Sequence, residues 1–200
     1  MSAETPDKPR HRRGVLVHGL TPASARKNPL VDPPAGRASP SAPFLVGHGY
    51  DIHRLQPGGK LLLAGVIVSE DVSPIAHSDG DVVLHAVVDA LLGALGLGDI
   101  GELFPNSDPR WKNAASKIFV EEVVRRMAQR GYAVSNVDVT ILLERPKVGA
   151  LKSQMIASLR QLLGESATIN VKAGTNEGCD AVGRGEAVAA HAVVLLASHA

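Results

Sequence analysis

Residues 77–97 read His77-Ser78-Asp79-Gly80-Asp81-Val82-Val83-Leu84-His85-Ala86-Val87-Val88-Asp89-Ala90-Leu91-Leu92-Gly93-Ala94-Leu95-Gly96-Leu97. A cluster of N-cap residue types leads into Val83, Val87, Ala90, Leu91 and Ala94 at helical spacing, which predicts a helix over 82–96. Upstream, 44–53 reads as an extended run, and 60–63 and 66–68 as short strands around Ala64–Gly65. Downstream, Phe119, Val120, Val123, Val124 and Met127 predict a helix over 116–130 that stops at Gly131. A strand over 137–143, a helix over 151–163 ending at Gly164, and a strand over 168–173 precede a Gly-rich loop, 174–185. For the last run, Glu186–Ala197, alanine content permits a helix, while Val188, Val193 and Val194 permit a strand; we read it as a strand. Strands interleaved with helices predict an α/β (α+β) two-layer sandwich, a mostly β sheet covered by helices on one face.

The 200 residues suit one core, and 44% apolar with 20% charged residues exclude a disordered or fibrous chain. Eight of the 13 prolines precede Phe44, so 1–43 reads as a disordered extension and 44–200 as the folded domain. The extension carries seven basic and three acidic residues (+4), and the remainder 14 basic and 17 acidic (−3). That balance excludes a phosphate-backbone footprint, so we expect no nucleic-acid partner for the folded part. The single cysteine, Cys179, allows no intramolecular disulfide and fits a reducing compartment. The most apolar stretches, 82–97 and 187–197, fall short of the ~20 residues a membrane span requires, so no membrane partner is expected. The N-terminus lacks a secretory pattern. Its Arg, Ser and Pro content suits an organelle transit peptide and its acids do not, which makes the expected location cytoplasmic, with a plastid as the alternative.

Asp51-Ile52-His53 places a carboxylate and an imidazole at i and i+2 of an extended run, so both leave the same face. With His85 they would form a His₂-carboxylate set, a three-ligand shell for Zn²⁺ that leaves a fourth position open. The triplet alone reads first as ordinary polar residues at element ends. Asp81 and Asp89, four residues either side of His85, are placed to accept its second imidazole N–H. The start of the helix at 77–81 would suit an anionic ligand, or serve only as a cap.

The residues also spell a series of motifs: Gly47-His48-Gly49-Tyr50-Asp51-Ile52-His53, Ala76-His77-Ser78-Asp79-Gly80-Asp81, His85, and Leu97-Gly98-Asp99-Ile100-Gly101 with Leu103-Phe104-Pro105. Asn136-Val137-Asp138-Val139-Thr140, Pro146-Lys147, Asn170-Val171-Lys172-Ala173 and Gly183-Arg184-Gly185-Glu186 follow in order. Over roughly 45–198 the chain resembles the 2-C-methyl-D-erythritol 2,4-cyclodiphosphate synthase family of the non-mevalonate isoprenoid pathway. The resemblance implies conversion of 4-diphosphocytidyl-2-C-methyl-D-erythritol 2-phosphate to the cyclic diphosphate with release of CMP. It implies one Zn²⁺ per subunit on Asp51, His53 and His85, and Mg²⁺ or Mn²⁺ on the substrate diphosphate with help from Glu177. It also implies a homotrimer with active sites between subunits.

Position by position, the resemblance makes His77 and Ser78 substrate-loop residues and puts Asp99 and Gly101 at the ribose or cytidine side. It sets Phe104, Pro105, Asn106 and Asp108 around the methylerythritol phosphate. Pro146 and Lys147 match the segment enclosing cytosine, Thr175 and Glu177 match residues contacting the diphosphate, and Arg184 matches an inward-facing residue near the trimer axis. Each also has a plainer reading: Lys147 as a surface charge, Asp99 as a turn former and Arg184 as a loop cation. The chain departs from the family at Gly178-Cys179-Asp180-Ala181, where a Gly-Phe usually lines an apolar axial cavity that can hold isoprenoid diphosphates. Asn106 stands for an Asp, Gly174 and Asn176 for threonines, and Gly149 for a larger residue.

Overall fold

The computed structural model describes residues 42–198; the disorder and transit-peptide expectations for residues 1–41 lie outside the described residues. The strands are β1 (Phe44–Pro57), β2 (Leu61–Leu63), β3 (Val66–Ser69), β4 (Val72–Pro74), β5 (Tyr132–Leu142), β6 (Thr168–Gly174) and β7 (Ala187–Ser198). The helices are α1 (Val82–Leu95), α2 (Ile100–Leu103), α3 (Lys117–Gln129), α4 (Lys152–Leu163) and α5 (Asp180–Gly183). A five-stranded sheet runs β4-β1-β7-β5-β6, and β2 pairs with β3 in a separate hairpin. β5 and β6 are parallel; the other neighbours in the large sheet are antiparallel. Among the described residues, no helix is long and apolar enough to cross a membrane.

The last run is a strand, as read, and it sits at the sheet centre between β1 and β5. Its Ala190, Ala192 and Val194 face the helices and are buried, and the small side chains let α1 lie close. On β1 the approach is closer still. A Cβ built on Gly47 would lie 1.9 Å from the Ala90 carbonyl oxygen, and one on Gly49 1.9 Å from that of Ala86. Any side chain there would drive helix and strand apart. α1 is buried nearly all round because the sheet lies on one side and α3 packs on another. Leu91 is fully buried, and truncating such a leucine to alanine costs about 2–5 kcal/mol.

The helix ends follow the expected chemistry. Asp81 caps α1, accepting from the Val83 and Leu84 amides, and Gly96 closes it in the left-handed conformation. Gly131, with φ +77°, follows α3 as predicted. β5 begins at Tyr132, five residues earlier than the predicted 137. The pattern there is broken by a bulge between Val134 and Asn136, which disrupts the alternation that marks a strand. β4, α2 and α5 are too short to leave a periodic signal. α5 also corrects the one-face description: its Val182 packs with Ala187 and Ala189 on the face opposite the other helices.

Candidate metal and phosphate site

Alternation along β1 sends Asp51 and His53 towards the helix layer and Ile52 the other way, and α1 brings His85 to meet them. His85 Nδ1 lies 2.9 Å from Asp51 Oδ2 and 3.3 Å from His53 Nε2; His53 Nε2 lies 3.2 Å from Asp51 Oδ2. Donor separations of this size are the edges of one face of a tetrahedron built on bonds of roughly 2.0–2.1 Å, so the three side chains fit a zinc-type ion. Among the described residues this is the single group of three or more His, Cys, Asp or Glu with mutually close donor atoms.

Burial opposes ionisation of Asp51, but the His85 hydrogen bond and the neighbouring His53 outweigh it, so its carboxyl stays below its ordinary value. Burial lowers the His53 imidazole against the pull of Asp51, and His85 lowers it further. Both shifts favour an anionic carboxylate and a neutral imidazole at neutral pH, the forms that bind a cation.

These donors open into a hollow of about 340 Å³ lined also by His77, Ser78, Ile100, Gly101, Phe104 and Asn106. Phe104 is buried, with its ring 4.6 Å from that of Phe119 and 5.2 Å from that of Trp111, and so builds the apolar wall. Asp99 caps α2 by accepting from the Glu102 amide, and Asp108 caps the following turn and pairs with Arg110 at 2.6 Å. The Asp108 carboxyl is lowered by the Arg110 hydrogen bond. Pro105 lies half-buried beside Phe104.

A second hollow holds Pro146, Lys147, Gly149, Lys152 and Thr175. β1 and β6 are separated in the sheet by β7 and β5, so within one chain this hollow and the metal-type cluster are distinct. Glu177 is exposed with φ +50°, and Arg184 pairs with Glu186 at 3.1 Å. In the altered loop, Asp180 accepts from the Val182 and Gly183 amides and from Asn176 Nδ2. Those bonds, the Gly183 amide foremost, lower its carboxyl.

Two expectations about supporting residues are corrected. Asp81 Oδ1 takes the Ala64 amide at 2.9 Å and Oδ2 the Gly65 amide at 2.6 Å, in addition to capping α1. The buried carboxylate thus ties the β2–β3 turn to the helix, and it already fills the N-terminus that was considered for an anion. Asp89 accepts from the Ile100 amide at 2.8 Å. Neither carboxylate touches the His85 ring, because each is claimed by backbone amides. The second nitrogen of His85 meets Ser116 and Ser78 instead. Sequence reasoning passed over Ser116, which sits at the start of α3 and looks like an N-cap.

The YgbB family model matches residues 44–197. The chain belongs to the YgbB family. It is 50% identical over 155 residues to the chloroplastic 2-C-methyl-D-erythritol 2,4-cyclodiphosphate synthase of Arabidopsis thaliana, covering 77% of this chain and 67% of that one. It is also 50% identical over 152 residues to the synthase of Desulfatibacillum aliphaticivorans, covering 76% of this chain and 98% of that one. Among solved structures, a 2C-methyl-D-erythritol-2,4-cyclodiphosphate synthase in its CDP-bound form superimposes with a TM-score of 0.70 at 41% identity, covering 76% of this chain and 99% of that one. The sheet with its helix layer is therefore the fold of this family.

Proposed function

We propose that the chain converts 4-diphosphocytidyl-2-C-methyl-D-erythritol 2-phosphate to 2-C-methyl-D-erythritol 2,4-cyclodiphosphate with release of CMP. The observation that carries this reading is the convergence of Asp51, His53 and His85 beside a hollow edged by His77, Ser78 and Asn106, in a chain half identical to synthases of that name. A 2-phosphate oxygen of the substrate attacks the β-phosphorus, the bond from that phosphorus to the CMP oxygen breaks, and CMP leaves with the electron pair. The attacking oxygen is already anionic at neutral pH, so the enzyme supplies position and charge neutralisation rather than a strong base. Asp51, His53 and His85 would hold Zn²⁺ and Glu177 would help hold Mg²⁺ or Mn²⁺; such cations neutralise the charge of the diphosphate and of the departing CMP.

His77 and Ser78 edge the first hollow, where they would orient the phosphates, and Phe104 with Asn106 would receive the methylerythritol end. Pro146, Lys147 and Thr175 line the second hollow, suited to the cytidine half. We assign a homotrimer in which one chain's first hollow faces its neighbour's second. The support is the face of the sheet that the large helices leave bare. On β1 and β7 it exposes Phe44 (60%), Val46 (69%), Tyr50 (45%), Ile52 (43%) and Val193 (44%). On β5 and β6 the same face carries Asn136, Asp138, Asn170 and Lys172. An apolar stripe of this kind on a sheet is a surface for a second copy.

³¹P NMR of the purified protein with the diphosphocytidyl substrate, Zn²⁺ and Mg²⁺ tests the reaction. The expected result is a cyclic diphosphate and CMP in equal amounts, lost after EDTA treatment, with no ¹⁸O taken up from labelled water. Solvent oxygen in the product would make the chain a zinc phosphohydrolase, and substrate left unchanged by zinc-loaded protein would make it a binding protein. The cytoplasmic expectation and its plastid alternative are separated by fusing residues 1–43 to a fluorescent protein in a plastid-bearing cell.

A further inference from the structure

His85 is held from both sides. Its Nδ1 meets Asp51 and His53, and its Nε2 lies 2.8 Å from Ser116 Oγ and 3.1 Å from Ser78 Oγ. Ser116 is wholly buried at the N-cap position of α3, yet its hydroxyl makes no capping bond. The hydroxyl instead donates to Asp79 Oδ1, and the Ser116 amide donates to Asp79 Oδ2 at 2.9 Å. A carboxylate has no proton to give, so the Ser116 proton points at Asp79 and the oxygen lone pair faces His85. Only an Nε2–H can fill that lone pair. When a cation takes the place of the proton that Nδ1 otherwise shares with Asp51 Oδ2, the neutral imidazole keeps its one N–H at Nε2 and turns the Nδ1 lone pair to the Asp51–His53 apex.

We infer that Asp79 and Ser116 are positioning residues that hold His85 in its Nε2–H tautomer and so present Nδ1 to a divalent cation. The inference rests on the metal reading above for its ligand and on hydrogen-bond directions alone for the tautomer. The arrangement also accounts for the polarity of a residue at a buried helix start. Asp79 Oδ1 accepts from the Ser116 hydroxyl and the Asp81 amide, and Oδ2 from the Ser116 amide, so an amide at position 79 cannot serve both of its sides. In Asp79→Asn the amide nitrogen opposes either the Ser116 hydroxyl or its backbone N–H. If it opposes the hydroxyl, the Ser116 proton turns towards His85 and the tautomer reverses.

Two measurements test this. In the metal-free protein, long-range ¹H–¹⁵N NMR of His85 should show a protonated Nε2 in wild type, with the Nε2–H population falling in Asp79→Asn and Ser116→Ala, and in the zinc-loaded protein Nδ1 should carry no proton. In chelator competition, zinc affinity should drop by about 10–100-fold in both variants, the range for residues that orient a ligating histidine. Ser116→Thr, which keeps the hydroxyl, should stay near wild type. Wild-type His85 lacking the Nε2 proton, or Ser116→Ala with an unchanged Nε2–H population and unchanged zinc affinity, would overturn the inference. If Ser116→Ala fails to fold, Asp79→Asn and Ser116→Thr decide it. A wild-type protein that takes up no zinc defeats the metal reading instead, and the tautomer measurement then judges the positioning role alone.

Discussion

Two imidazole pairs are built on β1, five residues apart and therefore on opposite faces of the sheet. On the covered face, His53 Nε2 and His85 Nδ1 are 3.3 Å apart; on the bare face, His48 Nε2 and His191 Nδ1 are 3.2 Å apart. The pairs are alike in spacing and unlike in everything around them. Asp51 supplies a carboxylate to the first, and Ser116 settles which nitrogen of His85 faces it. The second has the Tyr50 ring, 4.6 Å from that of His191, and exposed apolar neighbours. The contrast teaches that two close histidines do not make a cation site. A third anionic donor and a fixed tautomer do.

The comparison is broken most severely through the glycine between the two faces. Gly49→Ala would press a methyl against the Ala86 carbonyl, with its Cβ only 1.9 Å away. A loss of about 3 kcal/mol, the upper end of the usual overpacking range, is expected, readable as a lowered thermal midpoint or as insoluble protein. Next in size is the cation itself. Asp51→Ala or His85→Ala should bring zinc from one per chain to near zero after dialysis and abolish CMP release, while His48→Ala and His191→Ala keep one zinc per chain; elemental analysis reads both. Full cyclisation by a metal-free Asp51→Ala protein would break the assignment of the covered face.

For the bare face, Val46→Glu places a charge in the apolar stripe, where an unpaired carboxylate buried against a neighbour costs several kcal/mol, about 3–5. Light scattering should then report monomers with unchanged far-UV circular dichroism, and intact trimers would show that this stripe is not the contact. The smallest effect is a displacement along the pH axis. Protons compete with the cation for His53, whose pKa is lowered by burial against the pull of Asp51. Zinc release, followed with a fluorescent indicator, should therefore begin on acidification only below the ordinary imidazole value of about 6.5. Release well above that value would contradict the lowered imidazole.

Much of this contrast was legible in the chain. Period two in Asp51-Ile52-His53 gave the shared face, helical spacing gave α1, and the last strand emerged despite its alanines. What stayed hidden was set by tertiary competition for polar groups. Asp81 and Asp89 have the right spacing to His85, but the spacing does not tell that backbone amides of Ala64, Gly65 and Ile100 claim them first. Ser116 is 31 residues from His85, and no local pattern records a bond between the start of one helix and the first turn of another. The site roles of Pro146, Lys147 and Thr175 were carried by resemblance alone, because three residues from two separate loops share a hollow only after β5 and β6 align.

The contact of α1 against Gly47 and Gly49 has a consequence further along β1. Two of the cation donors ride on that strand and the third on that helix, so the gap between the backbones acts as a gauge for the site. Residues without side chains set it from two to six positions away from the ligands, before any ion arrives. Widening the gauge by the thickness of one methyl would spread Asp51 and His53 from His85 by a comparable distance, far outside the tolerance of a coordinate bond. In this protein the smallest residue type calibrates the most exacting geometry.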